Sequence, residues 1–206
     1  MEKLNLTKKY KSYYSASNKP EVVELPPVSY LSIEGVGDPS SKSFADKIQA
    51  LYSVAYTVKF SSKAQQRDFI VPKLEGLWWF DDRFGKLTMH EAPLLIPRSE
   101  WHWRLLIRMP EFITEDMIHE AKSTVITKKN IVLAEETTYF TLNEGKVVQM
   151  MHVGPFDREP ETLQVMQSFI EKNKFGKAGH HHEIYLSDFR KSAPEKLRTI
   201  LREPVN

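Results

Sequence analysis

The segment Glu183-Ile184-Tyr185-Leu186-Ser187-Asp188 carries the residue types best suited to chemistry. Alternation puts Ile184 and Leu186 on one face and Glu183, Tyr185 and Ser187 on the other. If that second face meets water, Glu183 is an ordinary surface acid. If it walls a cleft, the carboxylate stands beside a phenol among apolar groups, where burial raises its pKa and suits it to bind a cation or take a proton. The pattern leaves both open. Just upstream, His180-His181-His182-Glu183 has the residue types of a metal site. On a strand, however, His180 and His182 point one way and His181 and Glu183 the other, so the run cannot converge on one ion. No metal is expected, and the histidines read as a solvated run ahead of a strand. The chain has no Cys, which excludes thiolate nucleophiles, disulfides and Cys-ligated zinc. It has no G-x-S-x-G elbow, and Gly35-x-Gly37 lacks the rest of a phosphate loop. No cofactor is expected.

The second chemical signal is aromatic. The chain holds 4 Trp, 8 Tyr and 11 Phe, and all four Trp fall between Trp78 and Trp103. Arg104 and Arg108 beside Trp101 and Trp103 imitate a nucleic-acid surface, but alternation separates Arg from Trp, so stacking and charge do not act together. Lys plus Arg is 29 and Asp plus Glu is 27, a net charge of +2 that supplies no global attraction to nucleic acid or to an anionic membrane. No secretory signal is visible at the start and no run of about 18 uncharged apolar residues occurs, so a cytoplasmic protein with no membrane span is expected.

These residues need elements to position them, and 206 residues suffice for a sizeable core. Residues 1–27 read as a polar lead without regular structure beyond one helical turn near Lys8–Tyr14, ahead of a single domain over residues 28–206. A strand is predicted over 28–35. A helix follows, capped by Ser43, with Phe44, Ile48, Leu51 and Ala55 on its apolar stripe and an end near Lys59. Strands are predicted at 76–82, continuing from Phe69-Ile70-Val71, and at 101–109. The latter places Trp101, Trp103, Leu105, Ile107 and Met109 on one face. Thr114 caps the next helix, which ends on Lys128-Lys129. Strands at 136–142 and 146–153 read as a hairpin turning on Asn143-Glu144-Gly145. A helix over 160–173 turns Leu163, Met166 and Ile170 inward, a strand over 183–187 follows, and a short helix over 193–201 closes the chain.

A weak internal repeat organises this order. Ser32-Ile33-Glu34-Gly35-Val36-Gly37-Asp38 can be laid over Met151-His152-Val153-Gly154-Pro155-Phe156-Asp157, and each stretch leads into a helix and then a strand. Two such units side by side predict an α+β domain with an antiparallel sheet and a ligand cleft between related halves.

Several stretches together resemble the GyrI-like small-molecule-binding family, also used as the effector domain of multidrug-sensing regulators: residues 18–23 (NKPEVV), 50–59 (ALYSVAYTVK), 74–79 (LEGLWW), 151–162 (MHVGPFDREPET) and 182–188 (HEIYLSD), with the 193–197 tail (APEKL). They spread over essentially the whole chain and are similar to the stand-alone branch, which carries no DNA-binding domain. Phe189 departs from the Pro expected after Leu-Ser-Asp. The resemblance implies two βαββ-like repeats of the SHS2 type around a hydrophobic cleft, with Glu183 inside it, where the regulators set the matching Glu against cationic lipophilic drugs. Part of that branch consists of cyclopropanoid cyclopropyl hydrolases, which open DNA-alkylating natural products of the yatakemycin and CC-1065 type in an aromatic cage. The cage walls expected here are Tyr56, Trp78, Trp79, Trp101 and Trp103, with Glu183 orienting water and Tyr185 donating to the substrate carbonyl. The expected partner is a flat aromatic or lipophilic small molecule. A non-catalytic module that sequesters lipophilic or cationic drugs would use the same pocket. A gyrase-inhibiting interaction protein is the third reading, weakened by the balanced charge.

Overall fold

The structure, a computed structural model, describes residues 3–85, 87–88, 90–188 and 190–206, so Phe189 lies outside the described residues. The lead supplies α1 (Leu6–Lys9) and β1 (Glu21–Leu25). There follow β2 (Val28–Val36), α2 (Lys42–Ala64), β3 (Leu74–Trp79), α3 (Ala92–Leu95), β4 (His102–Arg108) and α4 (Glu115–Lys129). The remainder comprises β5 (Thr138–Leu142), β6 (Gly145–Val153), α5 (Glu159–Lys172), β7 (His181–Tyr185) and β8 (Arg198–Pro204). The strands form one antiparallel sheet in the order β1-β6-β8-β7-β3-β4-β2-β5.

Two βαββ units account for six of these strands. In β2-α2-β3-β4 the first strand pairs with the third, and in β6-α5-β7-β8 it does so again. The register fixes the correspondence: Val36 faces His102 as Val153 faces Arg198. The turn glycines that match are therefore Gly37 and Gly154, with φ 121° and 139°, and the sequence overlay of Gly35 on Gly154 is two residues out. Each of these glycines donates its N–H just ahead of the last strand of its unit, Gly37 to Trp101 O at 2.8 Å and Gly154 to Leu197 O at 3.0 Å. The units join edge to edge where β3 pairs with β7, Gly76 opposite Glu183.

The sheet curls until its ends adjoin. Pro26-Pro27 links β1 at one edge to β2 near the other, and Asn143-Glu144 links β5 at that far edge back to β6. The expected 136–153 hairpin is thus wrong. Gly145 does take φ 61°, but β5 adds to β2 while β6 is captured between β1 and β8. The lead also holds a strand that its polar composition hid, since β1 needs only the open edge of β6. The C-terminal helix is a further correction. Only a short 3-10 turn, Pro194–Lys196, precedes β8, whose place between β6 and β7 buries Ile200 and Leu201 on opposite faces and overrides the helical pattern. In α2 the cap is Ser41, accepting from Phe44 N at 3.2 Å, and the helix runs past Lys59 to Ala64. It stops where Gln66 enters the left-handed region at φ 63° and Arg67 N returns to Ser62 O.

The outer face of the sheet packs α2 and α4 against Leu31, Ile33, Trp103, Leu105 and Ile107, and α5 against Val148 and Leu201. The concave face is closed by the lead. There Tyr13 donates to Glu75 Oε2 at 2.5 Å and contacts the Tyr30 hydroxyl, while Arg202 donates to the Tyr13 carbonyl. His182, fully buried on this face, lies 3.1 Å from Glu75 and 3.0 Å from Glu144. The expectation of a solvated His run therefore fails for His181 and His182, which are strand residues paired to buried acids; His180 alone is exposed, stacked on Trp79 at 4.6 Å. Among the described residues no helix is long and apolar enough to cross a membrane.

Candidate functional site

Between α2 and α5 the outer face of β3 and β7 is left uncovered, and a cleft of about 1600 Å³ opens there. Its aromatic wall comes from the first unit. Phe44 and Ile48, expected in the core from their helical spacing, are half-buried and face the cleft with Tyr52 and Tyr56. Phe44 stacks on Trp78 at 6.1 Å, and Trp101 meets Trp78 edge-on at 6.0 Å. Trp101 is oriented by its indole N–H, which donates to Ile96 O at 3.1 Å.

Glu183 lies on the floor, its side chain 13% exposed. Tyr185 stands beside it, accepting from Trp78 Nε1 at 3.1 Å. Burial first, then the charge of Glu183 and a hydrogen bond to it, drives the Tyr185 hydroxyl far above its usual range. Gly76 makes this meeting possible: a Cβ there would stand 3.0 Å from Trp78 Nε1 and 3.1 Å from the Tyr185 hydroxyl.

Two further groups complete the floor: His181, read from the sequence only as part of a solvated run, and Glu159, which the sequence did not single out. His181, 2% exposed, lies with Nε2 3.3 Å from Glu183 Oε1 and Nδ1 2.5 Å from Glu203 Oε1. Burial pulls its pKa down, but Glu203 and Glu183 outweigh it and lift it to about 10, so the ring is an imidazolium at neutral pH. Glu159 opens α5 at 8% exposure and lines the cleft. Burial, followed by the charge of Glu183, pushes its carboxyl well above the usual range and favours its protonated form; Thr199 hydrogen-bonds to it, while its Oε1 has no hydrogen-bond partner among the described residues. Strand alternation did place His181 on the face of Glu183, a signal available in the sequence. Nothing local marked Glu159, because only the docking of α5 over β6 and β8 carries it inward.

Of the residues expected to line a cage, Trp78, Trp101 and Tyr56 border the cleft, with Tyr56 at its open side, 45% exposed. Trp79 does not. One residue along β3 from Trp78, it projects from the opposite face and lies between His102 at 5.7 Å and His180 at 4.6 Å. Trp103 is 1% exposed in the core, packed edge-on to Phe44, with its indole N–H on Gly37 O. It is buried because Gly35 beneath it has no side chain: a Cβ there would fall 2.2 Å from the ring.

The register makes the two walls chemically complementary. Matching the units sets Gly76 against Glu183, Trp78 against Tyr185, Leu74 against His181 and Ile107 against Glu203. One unit supplies a flat apolar surface, the other two carboxylates, an imidazolium and a phenol.

A curled antiparallel sheet of two βαββ units, with an aromatic-and-acid cleft between its outer helices, defines a small-molecule-binding protein. The chain belongs to the GyrI-like small-molecule-binding family: residues 110–205 match the GyrI-like small molecule binding domain. Among solved structures it is similar to an uncharacterized conserved protein from Listeria innocua, 38% identical over 99% of this chain and 100% of that one, with a TM-score of 0.88. It is also similar to a hydrolase from Listeria innocua, 37% identical over 99% of this chain and 100% of that one, TM-score 0.84. The C-terminal domain of EcmrR shares the fold at 10% identity, covering 91% of this chain and 97% of that one, TM-score 0.59. No curated protein matches the chain.

Proposed function

We propose that this protein is a hydrolase that adds water to flat aromatic compounds bearing a conjugated cyclopropane, of the yatakemycin and CC-1065 type, and so protects the cell from DNA alkylation. The observation that carries the reading is Glu183: a carboxylate on the floor of an aromatic-walled cleft, held between Tyr185 and His181. The hydrolase similar to this chain over its full length supports the reaction class, and the family resemblance supports the substrate class. Trp78, Trp101, Phe44 and Tyr52 offer ring faces and edges on which a polycycle stacks with loss of water. Water attacks the ring carbon, and its C–O bond forms as the ring C–C bond breaks. The electron pair of that bond moves through the conjugated ring to the carbonyl oxygen. Glu183 takes the proton of the water, and the new phenolate takes the proton held on Glu159; exchange between these acids and solvent restores both. Tyr185, engaged by Trp78 and Glu183, keeps the carboxylate aimed. The sum is substrate plus one water.

Mass spectrometry of a cyclopropane-bearing ligand incubated with the protein tests this. The expected result is a product heavier by one water, with turnover lost in Glu183→Gln while ligand affinity stays within about threefold. Binding without any gain of water would instead establish sequestration.

A further inference from the structure

His181 takes up the space against Glu183 where a bound cation would sit. Its ring is wedged between Glu183 Oε1 at 3.3 Å and Glu203 Oε1 at 2.5 Å, and at 2% exposure it is confined there. The fold does not demand an imidazole at this position, for the matching residue of the first unit is Leu74. The other titratable groups beside Glu183, Glu159 from α5 and Tyr185 from β7, are both shifted toward their neutral forms by burial and by the charge of Glu183. The cluster around Glu183 therefore carries two carboxylates, Glu183 and Glu203, and one fixed cation, while Asp188 farther along the lining is paired with Arg190 and Lys191. A ligand cation could pair with Glu183 only by approaching the imidazolium closely, or by displacing it and leaving Glu203 unpaired in the interior, which is costly. A neutral polycycle stacks on Trp78 and Trp101 without disturbing the pair.

We propose that His181 is the specificity-determining residue of the cleft, a tethered counter-ion that fills the cation position beside Glu183 and selects neutral flat aromatic ligands over lipophilic cations of the same shape. The inference rests on the ligand-cleft reading above. It does not depend on turnover.

Acridine and N-methylacridinium at about pH 8, where only the second is charged, separate charge from shape. Their affinities are measured by fluorescence titration for the native protein, His181→Asn and His181→Asn/Glu203→Gln. The double variant removes the buried acid along with its partner and so guards against a fold lost to an unpaired charge. The native protein should bind acridine at least about tenfold more tightly than N-methylacridinium. Both variants should gain at least about tenfold for the cation while acridine stays within about threefold. Equal native affinities for the two probes, or a cation affinity unchanged in both variants, would overturn the inference and leave the cleft reading standing. Failure of both probes to bind any form would overturn the cleft reading itself, and the inference with it.

Discussion

At the scale of single residues, β7 does two different jobs with neighbouring histidines. His181 faces the cleft between Glu183 and Glu203, while His182 faces the concave side between Glu75 and Glu144. Burial alone would neutralise both rings, yet the acids reverse this, lifting His181 to about 10 and His182 to about 9. In the unfolded chain each titrates near the ordinary value of about 6.5. A pKa raised by folding contributes stability that is fully present below the unfolded value and is lost as pH rises through the folded one. Denaturant unfolding should therefore show stability falling from about pH 6.5 up to about pH 10. His182→Gln should remove part of that slope and lower stability at neutral pH, because it leaves Glu75 and Glu144 buried without their cation. An unchanged pH slope in His182→Gln would mean that the ring is neutral in the fold.

At the scale of elements, the units are built to end their first strand in the same way. Gly37 and Gly154 occupy φ values of 121° and 139°, a region open to glycine and strained for any side chain, and each turns the chain toward its helix while its N–H is tied to the later strand. Gly37→Ala and Gly154→Ala should each cost about 1–3 kcal/mol in equilibrium unfolding. Gly35→Ala should also destabilise, by the different route of overpacking Trp103 in the core. If the two turn glycines tolerated alanine at no cost, the strand-to-helix turn would have to be able to relax to negative φ. The links between the last two strands of each unit differ in reach. The one from β3 to β4 carries Leu94 and Trp101 over the aromatic wall, whereas the one from β7 to β8 carries Ser187 and Asp188 over the acidic side.

At the scale of the whole molecule, a repeated unit has been made asymmetric where it matters. The pairing of Gly76 with Glu183 puts the centre of the pseudo-symmetric sheet on the cleft floor. There one half withdraws its side chain and the other presents its carboxylate. A ligand held by both halves binds only the folded state, so binding should raise the unfolding temperature of the entire chain. At a free concentration about a hundred times the dissociation constant, the stabilisation is about 2.7 kcal/mol. A thermal-shift titration with acridine should show a saturating rise in the native protein. Trp101→Ala should shift the titration to higher ligand concentration, since Trp101 closes the aromatic wall against Trp78 and Phe80. A rise of equal midpoint in Trp101→Ala would place the ligand elsewhere.

The sequence by itself determined the elements whose periodicity is local and strong. The strand from Val28, α4 with its Thr114 cap, the inward stripe of α5, and the alternation that set Glu183 and Tyr185 on one face are all present as expected. The twofold order of strand, helix, strand was also legible, because each unit repeats the same hydrophobic grammar. Tertiary structure decided whatever depends on which strand captures which. β1 and β8 are strands only because β6 and β7 offer partners, and the residues expected to form a hairpin part company because the curled sheet brings its two edges together. The same holds for the site. Phe44 and Ile48 read as core and face the cleft, since the helix stripe shows which side is apolar but not where the sheet beneath it ends. Trp79 and Trp103 read as cage and are not, since a residue type records affinity for apolar surroundings and not which cavity supplies them. Glu159 is shifted by burial and then by Glu183, and His181 by Glu203 together with the nearby Glu183; the pairings of Glu159 with Glu183 and of His181 with Glu203 each join residues more than twenty apart in the chain, a proximity that no local pattern encodes.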